Sequence, residues 1–390
     1  MVAAAVVVGD AVPARRATGA DRDHRRREGE PDVKKHFDYF IRSWIDFIFL
    51  RPLPGMRLIK WGVTLILATF AGFALTVGIP TENGRIDVSF DSGAGIPAFV
   101  LALVLTLASL MIIGGALWLI VDLRRESRKQ VLAIELRGLR DMSGQPLISA
   151  VPTGIMDRRV SLLLDIRQGA DGVLLSPEQA LARLESLPHM IHQNSTGRDR
   201  RDLTVVAGGM AAVPFAFLMG VLLDDEGRVT LLDWDRAQEC WRGLDEPDDG
   251  ERLVLTGLET VGDASEVVVA VSVSYPEDRV AIAHRFPGLP VIRLGLPAPT
   301  IDHHWSAAKQ AAWAQQFFDL ARQLCATNVR QVHLVLVAPT SVVISFGRSY
   351  DKRNLPALTV YQYENGSPAT YPWGIKMPVA NAPGATLVRS

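Results

Sequence analysis

Two corners of this chain carry residue types suited to holding a phosphate. Within Leu203–Arg236 an apolar run reaches Gly208-Gly209 and gives way to a helical stretch containing Phe217 and Gly220. Within Leu334–Glu364 a second apolar run ends at Pro339-Thr340-Ser341, before a helical stretch containing Phe346 and Gly347. A strand that turns directly into a helix leaves backbone N–H groups without partners at a point of partial positive charge, so an anion can bind there with few cationic side chains. Glycine, or a small hydroxyl residue after proline, lets the backbone approach such a ligand closely. Each segment closes with a charged turn and an aromatic-tailed strand, and the two lie about 130 residues apart. That is the pattern of two related α/β halves in one chain.

The residues of catalysis are less organised. No GxSxG elbow, HExxH pair or Walker loop occurs, so the common routes to a nucleophile, a zinc-bound water or a magnesium nucleotide are not signalled. Asp302-His303-His304 is the most metal-like cluster, but adjacent residues rarely converge on one ion, and the run reads better as the lead into a helix. Asp224, Asp225, Asp233 and Asp235 fall in turns or at strand ends with no nucleophile beside them. Cys240 and Cys325 are isolated and read as buried small hydrophobes, in keeping with a reducing compartment. The expectation is a binding protein without a cofactor or metal, and not an enzyme.

The elements that must position the corners follow from periodicity. Strands are expected at SLLLDI, LTVVAG, RVTLLDW, EVVVAVSVS, PVIRLGL, VHLVLVA and ALTVYQY, several of them continuous β-branched runs that suit strands covered on both faces. Helices are expected at SPEQALARLESLPHMIH, with Ser176 as its N-cap, at AAVPFAFLMGVLL and at SAAKQAAWAQQFFDLARQLCA. Strands alternating with helices predict a Rossmann-like architecture over residues 131–390, with halves at about 131–245 and 250–390.

The N-terminal third has another character. Residues 1–35 are rich in Arg, Ala and Gly and too poor in large apolar side chains to fold. Residues 36–60 read as an amphipathic interfacial helix and linker, with Phe37, Phe40 and Trp44 on one face. Two charge-free runs follow, of 21 residues between Lys60 and Glu82 and of 30 residues from Ser92 to Val121. Each exceeds the ~20 residues needed to cross a bilayer, which predicts a transmembrane hairpin over 61–122 with a short periplasmic loop. Arg51, Arg57 and Lys60 before the first run and Arg124, Arg125, Arg128 and Lys129 after the second put both termini in the cytoplasm, as a multi-pass protein. Gly114 and Gly115, with Ala68, Gly72 and Ala74, offer small-residue stripes for helix contact. A net charge of −1 argues against a polymeric nucleic acid as partner, which a broad basic face would be needed to hold.

The second corner and its flanks carry a family resemblance. Val337-Ala338-Pro339, Gly347-Arg348 and Val360-Tyr361-Gln362-Tyr363 resemble the C-terminal signature of SAVED domains, and Ala207-Gly208-Gly209 with Pro214-Phe215 resembles a motif of their first half. With two spans in front, the chain is similar to the membrane-spanning SAVED effectors of bacterial CBASS antiphage systems. The resemblance implies two CARF-like Rossmann halves that bind a cyclic tri- or tetranucleotide made by a CD-NTase. It also implies homo-oligomerisation on binding and disruption of the inner membrane, leading to abortive infection. On that reading Gly208, Gly209 and Met210 in one half and Pro339, Thr340 and Ser341 in the other cradle phosphates. Ser272, Ser274 and Tyr275 add hydroxyl contacts, Trp305, Tyr350 and Trp373 stack on bases, and Arg348 and Lys352 are the phosphate cations. A membrane-anchored nucleotide phosphodiesterase and a passive membrane recruitment sensor are the rival expectations.

Overall fold

The structure is a computed structural model that describes residues 54–71, 76–81, 84–89, 98–138, 145–151, 158–169, 173, 175–196, 199–367 and 369–389. The tail over 1–35 and the interfacial helix, up to residue 53, lie outside the described residues. The chain divides into two compact units, Met1–Asp122 and Leu123–Ser390.

In the first unit, helix α1 (Pro54–Ala71) is followed by strands β1 (Thr76–Thr81) and β2 (Gly84–Ser89), which pair antiparallel from Thr76↔Ser89 to Thr81↔Gly84, and then by helix α2 (Ala98–Arg128). Among the described residues one helix is long and apolar enough to cross a membrane, Phe99–Arg128, against the two spans expected from charge alone. The first charge-free run is split: residues 61–71 belong to α1, which starts early enough to include Arg57 and Lys60, and residues 76–81 form β1. Absence of charge says nothing about backbone geometry, and Pro80 cannot sit inside a helix because it lacks an N–H and its ring clashes with the preceding turn.

The two helices meet through glycine. A Cβ on Gly55 would lie 2.7 Å from the Gly115 carbonyl oxygen, and one on Gly62 would lie 2.8 Å from that of Ala108. The pairings run antiparallel and let the backbones touch, which is how helices associate where lipid supplies no hydrophobic drive. Gly115 is thus the contact glycine of its pair, whereas Gly114 has nothing within 4 Å. The partner of Gly115 is Gly55, and Gly62 meets Ala108, while Ala68 is exposed and Gly72 and Ala74 lie outside the described residues.

The second unit holds two sheets. The first has strand order β4-β3-β5-β6-β7, in which β3 (Gln130–Arg137), β4 (Arg158–Asp165), β5 (Leu203–Met210) and β6 (Val229–Asp235) are parallel and β7 (Cys240–Gly243) is antiparallel. The second has order β14-β13-β12-β11-β9-β10-β8. Its parallel centre is β9 (Glu266–Ser272), β10 (Val291–Gly295), β11 (Gln331–Val337) and β12 (Ala357–Gln362). Antiparallel β8 (Val254–Thr256), β13 (Trp373–Lys376) and β14 (Thr386–Arg389) flank it. All seven strands expected from sequence form; β3, β7, β8, β13 and β14 are additional.

The helices of this unit are α3 (Leu147–Ala150), α4 (Pro177–Glu185), α5 (Leu187–Ser195), α6 (Val213–Leu222), α7 (Arg279–Arg285), α8 (Ala307–Cys325) and α9 (Thr340–Arg348). Ser176 caps α4 as expected: its hydroxyl accepts from the Gln179 N–H, and the Gln179 side chain returns the bond to the Ser176 N–H. The single helix read over 177–192 breaks at Ser186, where Leu187-Pro188 begins α5, because proline is favoured in a first turn and excluded from an interior.

α6 and α9, one from each half, cross at the centre. Gly220 lies against the Ile344 carbonyl, with a notional Cβ 2.9 Å from Gly347 Cα; Gly347 lies against the Phe217 carbonyl. Phe317 of α8 stacks on Phe346 at 5.0 Å and meets Phe217 edge-on at 6.3 Å. One continuous core therefore spans both halves, from Leu132 and Val205 through Phe217 and Phe346 to Leu334 and Ile375. The cysteines depart from expectation: Cys325 is exposed and Cys240 half-buried, each at the end of an element where the surface is near.

Candidate ligand-binding site

In both sheets the order of strands reverses between the first and third parallel strands of the half, β3 and β5 in one and β9 and β11 in the other. Such a switch point opens a crevice at the carboxyl ends of the strands, the usual place for ligands in α/β folds. In the second half the loops that follow β9 and β11 meet there: the N–H groups of Val273 and Ser274 both donate to the Val337 carbonyl, at 2.9 and 3.1 Å. Ser272, Ser274, Tyr275, Pro339, Thr340 and Ser341 are thus brought to one rim. Pro339 and Thr340 are half-buried, and Tyr275 is 59% exposed.

The rim's polar groups are already engaged. The Ser272 hydroxyl donates to Glu277 Oε2 at 2.6 Å, and Arg279 and Arg293 each place Nε 3.1 Å from Glu277 Oε1. Burial pushes the Glu277 carboxyl up, but the Ser272 hydroxyl, a backbone N–H and Arg279 together hold it below the ordinary value. A folded value below the unfolded one, about 4.3 for glutamate, means the stabilisation is present above that pH and is lost as pH falls through the folded value. The stability gap between wild type and Glu277→Gln should therefore be widest near neutrality and close below a pH of about 4, as thermal unfolding at several pH values will show.

The helix N-termini are capped across the seam between halves. The Val213 N–H at the start of α6 donates to Gln362 Oε1 at 3.1 Å, and the Ser341 N–H at the start of α9 donates to Asp233 Oδ2 at 3.0 Å. Gln362 ends β12 of the second half and Asp233 lies near the end of β6 of the first, so each half caps the other's helix. The buried Ser341 hydroxyl accepts from Gln310 Nε2 at 2.8 Å, and His304 Nε2 lies 3.4 Å from Asp233 Oδ2. His303 turns instead to Glu251, at 3.2 Å, so the two imidazoles face different carboxylates.

Other sequence-predicted residues go elsewhere. Gly208 and Gly209 are inside β5, buried, and serve packing: added Cβ atoms would lie 2.7 Å from Leu147 Cδ1 and 2.8 Å from Leu136 Cβ. The actual corner is Ala211-Ala212, one step later, and the Met210 carbonyl accepts from the Gly138 N–H at 2.7 Å. Trp305 is buried between His304, at 4.2 Å, and the Arg242 guanidinium, at 4.5 Å, with no face left for a base. Tyr350 is also core: its hydroxyl donates to the Pro356 carbonyl, and burial pushes the phenol well up. Trp373 is half-buried against Phe215, at 5.3 Å, and its Nε1 donates to Glu364.

Arg348 ends α9 and Lys352 follows it, both at the far end of the helix from the corner, so the structure does not join the predicted cations to the predicted cradle. Arg348 Nη2 donates to the Glu226 carbonyl at 3.2 Å, and burial lowers its pKa. Lys352 lines a cavity of about 700 Å³ with Arg200, His192, Asp225, Pro378 and Pro383. The cavity lies at the start of β5 and the end of α6, away from the rim. Its lining comes from segments distant in sequence and from both halves, so no local motif pointed to it.

Comparison with known proteins adds family to geometry. Residues 34–181 match the family described as SAVED-fused 2TM effector domain, and residues 187–377 match SAVED, the SMODS-associated and fused to various effectors sensor domain. The boundary between these matches falls inside the first half, since β3 and β4 pair in one sheet with β5. Among solved structures, the Acinetobacter baumannii Cap4 SAVED/CARF-domain containing receptor with the cyclic trinucleotide 2'3'3'-cAAA is similar at 13% identity, over 73% of this chain and 60% of that one, with a TM-score of 0.43. The corresponding Moraxella osloensis receptor is similar at 14% identity, over 71% and 57%, with a TM-score of 0.39. This chain spans about three fifths of the length of those receptors. No curated protein matches.

Proposed function

We propose that this chain, a SAVED-fused 2TM effector domain joined to a SAVED sensor domain, is a CBASS antiphage effector of the bacterial inner membrane that acts by binding and not by catalysis. The sensor takes a cyclic oligonucleotide made by a CD-NTase, binding drives homo-oligomerisation, and the assembled apolar helices breach the bilayer. The observation that carries this reading is the tandem match of effector and sensor families in one chain. The connection between the parts supports it: only Lys129 separates the end of α2 from β3. A change in the first sheet has almost no slack to cross before it reaches the apolar helix.

The ligand has to do the thermodynamic work. Moving a protein from 1:99 to 99:1 in favour of the assembled state takes about 5.5 kcal/mol of differential affinity. A ring that contacts rim residues of more than one protomer can supply it. α1 and α2 cross the bilayer in this reading, the hairpin of β1 and β2 lies on the periplasmic side, and both chain ends stay on the cytoplasmic side.

The test is dye release from liposomes carrying the full chain, with 2'3'3'-cAAA or 3'3'3'-cAAA added and the nucleotide recovered for chromatography. Release with intact nucleotide is expected. Consumption of the nucleotide would make the protein a membrane-anchored phosphodiesterase, and binding without release would make it a recruitment sensor; either overturns the proposal.

A further inference from the structure

We propose that the N-terminus of α9 and His304 form an anion subsite, that Asp233 of the first half occupies it in the free protein, and that a ligand phosphate takes the place of this carboxylate. The idea rests on the preceding reading for the identity of the ligand, but the subsite itself can be tested without it.

The start of a helix presents unpaired N–H groups and a partial positive charge, and the Ser341 N–H meets an anion there, the Asp233 carboxylate. That contact alone would be an ordinary cap. A second observation sets it apart: His304 is buried, with 6% of its side chain exposed, and its Nε2 lies 3.4 Å from the same Asp233 Oδ2. Neither His304 nitrogen has a hydrogen-bond partner among the described residues. A helix N–H and a buried imidazole are thus aimed at one carboxylate oxygen, and the imidazole is not hydrogen-bonded to it.

Asp233 is loosely held for a buried charge. Its Oδ1 accepts from the Trp234 N–H at 2.8 Å, so a single oxygen reaches the subsite. Its cross-strand neighbour Arg242 turns away, to Glu246 at 2.5 Å and over the Trp305 ring. A buried charge without a full partner set is costly. A phosphate offers more acceptor oxygens in a tetrahedral array and can take bonds from α9 and His304 together. The equivalent corner of the other half is capped by the neutral Gln362, so no charge need be expelled there. The two corners are thus different in kind: one open to exchange of an anion for an anion, one closed by an amide.

Displacement has a structural consequence. Asp233 ties β6 of the first half to α9 of the second, so its release loosens the seam at the moment the ligand engages. The plug is therefore also an inhibitory latch, and the half-buried Pro339 and Thr340 mark the side from which a phosphate enters.

Asp233→Asn keeps the shape and removes the charge. With the plug weakened, the full chain in detergent should bind 3'3'3'-cAAA about tenfold more tightly than wild type. His304→Ala should weaken binding in either background. Independently of the nucleotide, inorganic pyrophosphate should raise the melting temperature of Asp233→Asn above its value in chloride of equal ionic strength, and do so less for wild type. Equal or weaker anion binding by Asp233→Asn would overturn the subsite. Should the variant fail to fold, hydrogen exchange of wild type with pyrophosphate decides: protection of 340–344 with faster exchange at 233–238 is expected, and protection or indifference at both sinks the plug. Failure of the nucleotide alone, with the pyrophosphate response intact, would count against the proposed ligand and not against the subsite.

Discussion

Gly220→Ala and Gly347→Ala should each lower the stability of the sensor by about 3 kcal/mol or more, with a fall in melting temperature of roughly 6–12 °C. The sign is the diagnostic part. Glycine to alanine within a helix ordinarily stabilises, by up to about 1 kcal/mol. Here the added methyl of Gly220 would enter the space of the Ile344 carbonyl and lie 2.9 Å from the Arg348 nitrogen, and that of Gly347 would meet the Phe217 carbonyl. Those obstacles are backbone atoms of the crossing helix, which cannot swing aside as a side chain can. Relief requires α6 and α9 to separate, and with them the core they join. Gly227→Ala is the control, since nothing lies within 4 Å of that position. Equal thermal unfolding curves for Gly220→Ala and Gly227→Ala would show that the helices do not cross there.

Glu135→Ala should cost about 3–5 kcal/mol, the range for removing one partner of a buried ion pair. Glu135 lies in β3 with only 2% of its side chain exposed, receives Arg137 Nε at 2.5 Å and accepts from the Leu147 N–H at 2.8 Å. Truncation would leave a largely buried guanidinium and a buried peptide donor unpaired in the central layer of the first sheet. Glu135→Gln, which keeps an acceptor for Leu147, should lose less, about 1–3 kcal/mol. Chemical denaturation of the purified chain and its two variants checks the order. If the alanine variant proves as stable as wild type, the carboxylate is not what holds α3 to β3.

Much of the scaffold was readable because local rules govern it. The continuous apolar runs of β9 and β11 can satisfy only strands covered on both faces, and the Ser176 capping box is complete within four residues of chain. The short, partly exposed strands β7, β8, β13 and β14 escaped notice because they lack such a pattern and exist through pairing alone. The first apolar run was readable only in part, because hydropathy describes what a segment avoids and not its backbone geometry: residues 61–71 lie in α1, and residues 76–81 pair with β2.

The site shows the same division more sharply. By itself the sequence determined that two like α/β units stand in tandem, that each turns from strand to helix at a tight corner, and that a long apolar helix precedes them. Only the tertiary structure decided what those corners hold. Gly208 and Gly209 proved to be packing glycines, Trp305 and Tyr350 were drawn into the interior, and Arg348 was placed at the wrong end of its helix to serve the corner. The caps on α6 and α9 come from residues 149 and 108 positions away, in the opposite half. The physical reason is range: helix and strand preferences act over a few residues of chain. Which donor meets which acceptor, and which ring finds a void, depends on neighbours brought together only when the two sheets close on a shared core.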